Sequence, residues 1–132
     1  ERSGNAPMPR IVAAVLLALI GAAPPAAAGA PEVIAAEAAR TGPAPGAGVW
    51  RFSVTLNHGD TGWEHYADAW EIRLPDCTVL GTRILHHPHV EEMPFSRSLS
   101  GVTIPRSAAQ VLIYPRDSVH GWGAPYPFDL PR

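Results

Sequence analysis

From Trp50 to Asn57 the chain alternates strictly, with Trp50, Phe52, Val54 and Leu56 on one face and Arg51, Ser53, Thr55 and Asn57 on the other. A period of two is that of extended backbone, whose successive side chains point to opposite faces, so this segment is read as a half-buried strand. The pattern returns over Ala69 to Leu74, where Trp70, Ile72 and Leu74 are separated by Glu71 and Arg73. Pro75-Asp76-Cys77-Thr78 has turn chemistry, and Thr78 to Leu85 reads as the returning strand of a hairpin. Further strands are expected at Phe95 to Val102, Ala109 to Tyr114 and Tyr126 to Leu130. Pro115 has no N–H to give a ladder and is expected at a strand end, an edge or a bulge. Short strands separated by turns, with no helical period after Val49 and no internal repeat, predict an all-β fold. The expected form is a small antiparallel sandwich of immunoglobulin-like or fibronectin-like type. Gly101 to Pro105, leading into Ala109 to Ile113, has the form of the corner before a late strand in such sandwiches.

The front of the chain is of a different kind. Met8-Pro9-Arg10 is a short basic start, followed by the apolar run Ile11 to Ala23 and then by small residues and prolines. That run is too short for a hydrocarbon core of about 30 Å but suits the apolar region of a secretory signal peptide. Residues 8–28 are therefore expected to be a signal peptide, cut after Ala26-Ala27-Ala28, with the bond after Ala28-Gly29-Ala30 as second choice. Residues 1–7 precede the start methionine and read as upstream translation or an expression scar. Residues 29–48, rich in Ala, Pro and Gly, are expected to be a spacer with one short helical candidate at Glu32 to Arg40. The folded domain is then expected over residues 49–132, in the periplasm or outside the cell.

No cysteine follows the apolar run at the cleavage point, so no lipid anchor is expected after cleavage. Cys77 is the only cysteine, which excludes an intramolecular disulfide. A domain this small must then rely on packing, on a bound ion or on a partner subunit. From Val49 onward there are seven arginines, nine acidic residues and no lysine, which is no nucleic-acid footprint.

All six histidines lie beyond Val49, in three segments that break the alternation. They are His58-Gly59-Asp60-Thr61-Gly62-Trp63-Glu64-His65-Tyr66, His86-His87-Pro88-His89-Val90-Glu91-Glu92 and Asp117-Ser118-Val119-His120-Gly121-Trp122-Gly123. Each follows an expected strand, and loops after alternate strands of a sandwich can emerge at one end. Neutral imidazole is the commonest transition-metal ligand, and a His-x-His pair on extended chain aims two rings the same way. Pro88 holds His87 in extended geometry, under which His87 and His89 share a face; polyproline geometry would instead align His86 with His89. His89 is thus the expected anchor. His58 or His120 is a third nitrogen, and Glu91 or Asp60 an oxygen or a supporting partner. Asp60 also suits a simple Asx turn. Trp63 and Trp122, with Tyr66, suit either an aromatic binding surface or the core and cap of the sandwich. His65, in a denser aromatic loop, is expected to matter least. Cys77 lies too far along the chain from His87 and Met93 for a blue-copper loop. Ser96, Ser98 and Ser100 lack any nucleophile-elbow motif.

The phrases HGDTGWEHYADAWE at His58 to Glu71, HPHVEEMPFSRSLSGV at His87 to Val102 and DSVHGWG at Asp117 to Gly123 resemble a family of small exported bacterial proteins. The resemblance implies secretion and a compact β fold and carries over no activity. Turns like Pro75-Asp76-Cys77-Thr78 in such proteins more often have glycine at the third place, so Cys77 is read as incidental. Together these features point to copper or zinc bound by loop histidines for metal handling rather than turnover. A metal-free module contacting a periplasmic protein or a glycan is the alternative, and a metal-dependent enzyme the third reading.

Overall fold

The computed structural model describes residues 29–42 and 47–131; the expected signal peptide and the residues ahead of it lie outside the described residues. Within them the chain is all β, with eight strands: β1 Glu32–Arg40, β2 Gly48–Asn57, β3 Ala67–Arg73, β4 Val79–Ile84, β5 Phe95–Ile104, β6 Gln110–Asp117, β7 Gly121–Trp122 and β8 Tyr126–Asp129. One antiparallel sheet has the order β1-β2-β5 and the other β4-β3-β6-β7, with β8 also paired to β6. The chain crosses between the sheets from β2 to β3, from β4 to β5 and from β5 to β6, and the inner faces meet in a single core.

The alternation in β2 does what its period dictates. Trp50, Phe52, Val54 and Leu56 are buried, and across from them lie Trp70 and Ile72 of β3 and Val111 and Ile113 of β6. Phe52 meets Phe128 of β8 edge to face at 5.8 Å between ring centres. A Leu or Ile side chain buried in such a core contributes about 1.5–3 kcal/mol, so these few positions carry most of the packing free energy.

Two expectations are corrected. Glu32 to Arg40, rich in alanine and read as helical, is β1, paired with β2 from Glu32↔Asn57 to Arg40↔Trp50. Helix propensity is worth only tenths of a kcal/mol per residue, and the open edge of β2 offers a full ladder in its place. Val33 is buried and Ala36 and Ala38 pack on the core, so the folded unit includes residues ahead of Val49. Pro115 lies inside β6, opposite Trp70. On its other flank β8 pairs Gln110 to Ile113 and β7 pairs Arg116 and Asp117, so the proline falls in the gap between two short partners.

The β3–β4 hairpin explains the odd cysteine. Cys77 N–H donates to Leu74 O at 2.8 Å and Leu74 N–H to Thr78 O at 2.9 Å, with Cys77 at φ 77°. This is a three-residue loop whose last position is left-handed, which an L side chain occupies at a cost of about 1 kcal/mol. Cys77→Gly should therefore raise stability by about 1 kcal/mol, seen as a higher urea midpoint at unchanged slope.

Candidate metal centre

The site is built where β2 and β6 run out of the core. Buried positions along β6 are Val111, Ile113, Pro115 and Asp117, so the inward parity of the strand ends on a carboxylate with no exposure. Along β2 the same parity continues from Leu56 to His58, which is also buried. The loop after His58 folds back on itself: Thr61 N–H donates to His65 O at 3.0 Å and His65 N–H to Gly62 O at 3.2 Å. Gly62, at φ 144°, makes this turn possible. His65 is thereby laid against His58, with ring centres 4.9 Å apart, and His120 against His65 at 5.0 Å. Tyr66 and Ser118 lock the two loops together through Ser118 N–H to Tyr66 O at 2.9 Å and Tyr66 N–H to Ser118 Oγ at 3.0 Å.

Three imidazole nitrogens converge on one oxygen. Asp117 Oδ2 is 3.0 Å from His58 Nε2, 2.9 Å from His65 Nε2 and 2.9 Å from His120 Nδ1. Its other oxygen, Oδ1, accepts the backbone N–H of Val119 at 3.0 Å and that of His120. The Gly29 carbonyl oxygen is 3.0 Å from His58 Nε2 and 3.1 Å from His65 Nε2. Burial would raise the Asp117 carboxyl, but the hydrogen bonds from His120, His65 and His58 outweigh it and hold the group well below the usual carboxylate range.

Asp60 fixes His58 from behind. Its Oδ1 lies 2.5 Å from His58 Nδ1 and accepts Ala67 N–H at 3.0 Å, while Oδ2 accepts His89 N–H at 2.8 Å. As a carboxylate Asp60 only accepts, so His58 Nδ1 carries a proton and Nε2 is aimed into the site. That nitrogen faces two acceptors, Asp117 Oδ2 and Gly29 O, each at 3.0 Å. Such a cluster of acceptors is stable only with a cation or a proton among them. His58, His65 and Asp117 offer ligand atoms all within 4.8 Å of one another and could hold a metal ion.

Of the residues singled out in the sequence, the structure brings together His58, His120 and Asp60, and not His86, His87, His89 or Glu91. His87 and His89 do share a face, with ring centres 4.6 Å apart. His89, however, stacks flat on Phe95 at 3.8 Å, and its Nε2 accepts from Arg97 Nη2 at 2.9 Å. A guanidinium on that nitrogen blocks a metal there and leaves Nδ1 carrying the proton, buried and unpartnered. Burial first, then the charges of Arg97 and His87, lower the His89 pKa against the opposing pull of Glu92 and Asp60. The folded state thus favours the neutral ring, and its contribution to stability is lost as pH falls below 6.5 toward the folded value. His86 and Glu91 are exposed. Trp63 is 66% exposed against Tyr66, outside the core, and Trp122 stands on the surface beneath Arg73 at 4.8 Å.

Two members of the cluster were passed over in the sequence. His65 was expected to matter least, because nothing in the loop's composition shows the fold-back at Gly62. Asp117 was legible in principle: a carboxylate on the buried parity of a strand needs partners, and histidines stand in both adjoining loops.

No protein-family model matches the chain, and no solved structure matches it. The chain is 39% identical over 72 residues to a "Putative lipoprotein" of Halomicrobium mukohataei. The match covers 54% of this chain and 35% of that protein, so the chain spans about a third of the relative's length.

Replacing Asp117 by Asn should cost about 2–4 kcal/mol in metal-free protein, because buried donors lose their acceptor. The depressed carboxyl stabilises the fold fully above its unfolded value of 3.8 and loses that contribution as pH falls toward the folded value. The stability gap between parent and Asp117→Asn, from urea titrations across pH, should therefore be constant near neutrality and shrink only in strong acid.

Proposed function

We propose that this protein is an exported metal-binding protein that takes Cu(II) or Zn(II) at His58 Nε2, His65 Nε2 and Asp117 Oδ2, and handles the ion rather than catalysing with it. The observation that carries the reading is the convergence of His58, His65 and Asp117, with His58 Nε2 aimed by Asp60 at two acceptor oxygens at 3.0 Å that only a proton or a cation between them can satisfy. A divalent cation turns that conflict into coordination. Metal–nitrogen bonds of about 2.0–2.1 Å in a tetrahedral shell put ligand atoms about 3.3 Å apart. The pairs at 2.9–3.0 Å need to open by only a few tenths of an ångström to admit the ion. His120, with 48% of its side chain exposed, stands at the mouth and can swing from Asp117 to the metal or away from it. Borderline nitrogen donors with one carboxylate suit zinc and copper better than magnesium or calcium. The Asp60–His58 pair supplies the outer carboxylate that such histidines usually have. Export is supported by the apolar run ahead of the domain and is compatible with the relative's description as a lipoprotein.

A second reading, a docking surface for a periplasmic protein or a glycan, is favoured by Trp63 and Val119, exposed on the same two loops. Calorimetric titration of the processed protein separates the two. One equivalent of Cu(II) or Zn(II) should bind near neutral pH and be released as pH falls through the imidazole range, because protons compete for the same nitrogens. His58→Ala, His65→Ala and Asp117→Asn should each weaken binding by about a hundredfold, and His89→Ala should leave it within a few fold. Absence of saturable binding would favour the second reading, and a dominant loss at His89 would contradict the ligand set proposed here.

A further inference from the structure

The carbonyl oxygen between His58 and His65 comes from Gly29, the residue that follows the expected signal-peptide cut after Ala28. The antiparallel register explains its arrival. Glu32 pairs with Asn57, so the residues ahead of β1 run alongside those that follow β2, and the two reach the same end of the sandwich. Pro31 is buried there, close against Gly123, where an added Cβ would lie 3.0 Å from Pro31 O. The Gly29 Cα itself stands among the rings. A methyl on it would be 3.1 Å from His120 Cε1, 3.6 Å from His120 Nε2 and 3.6 Å from His65 Cε1. A larger residue would crowd the site, and the α-nitrogen is bonded to that same carbon.

We propose that the mature amino terminus is itself a metal ligand: hydrolysis of the Ala28–Gly29 bond frees an α-amine that, with the Gly29 carbonyl oxygen, chelates the ion held by His58, His65 and Asp117. The inference rests on the metal reading above. In the precursor the Gly29 nitrogen is an amide whose lone pair is delocalised into the Ala28 carbonyl, and it offers nothing to a cation. Hydrolysis puts a carboxylate on Ala28 and an amine on Gly29. Rotation about the Gly29 Cα–C bond then brings nitrogen level with oxygen, closing a five-membered ring with the metal. Two donors on one residue, already anchored by β1, cost little further ordering. The consequence is a site that reaches full strength only after export, so that the precursor does not compete for metal before it crosses the membrane.

The chain contains no lysine, so the α-amine of the processed protein is its only primary amine. The full chain is to be exported in a Gram-negative host, and the processed protein sequenced from its amino terminus. It is then titrated with Cu(II) before and after acetylation, with hydroxylamine used to clear any tyrosine ester. The expected amino terminus is Gly29. Acetylation should weaken Cu(II) binding by about ten- to a hundredfold and remove one nitrogen from the Cu(II) paramagnetic-resonance spectrum, with the metal-free urea midpoint unchanged. A mature protein beginning at Pro31 overturns the inference, as does equally tight binding by the acetylated form, which leaves the histidine site standing. Failure of both forms to bind overturns the metal reading with it.

Discussion

A carboxylate removed from water must be satisfied by whatever surrounds it, and Asp117 is satisfied from two separate loops. His58 and His65 reach it from the loop after β2, and His120 from the turn after β6. Asp60 repeats the device one layer back, holding His58, Ala67 and His89 at once. Two buried acids therefore tie the β2–β3, β4–β5 and β6–β7 loops into one end of the sandwich. Loops of this length would otherwise have little reason to keep a single arrangement, since few of their residues bury apolar surface. The polar end and the apolar core are complementary: strands supply the parity that turns Asp117 and His58 inward, and the acids fix what the strands cannot.

The fold was legible wherever one face of a strand is apolar and the other polar. β2 and β3 show this directly, because both have a core face. β1 was not legible, since alanine carries no facial signal and its place is decided by the open edge of β2 rather than by its own residues. β7 is two residues long and has no period to read. The site was legible by parts. The three histidine loops were visible as breaks in the alternation, and their convergence follows from the sandwich. Which histidines meet depends on the turn at Gly62 and on Arg97 taking up His89, and neither follows from spacing alone. The His-x-His phrase, the sharpest pattern in the chain, places a histidine stacked on Phe95 beside the cluster.

The arrangement could hold a metal ion. Asp117 and His58 are buried, their partners are fixed from behind, and the one exposed member, His120, is placed where an ion would enter or leave. Donors that are preorganised on strand ends lose little freedom when the ion arrives, which favours affinity. The cost falls on the metal-free protein, where the same acceptors must share protons across short distances.

The central claim is that the ion is held by imidazole and carboxylate groups at this end of the sandwich, and X-ray absorption on the zinc-loaded protein tests it most directly. The account predicts a first shell of nitrogen and oxygen at about 2.0–2.1 Å, with the outer-ring scattering of at least two imidazoles and no sulfur. A sulfur shell at about 2.3 Å, which only Cys77 or a methionine could supply, or a shell of oxygens without imidazole scattering, would contradict it.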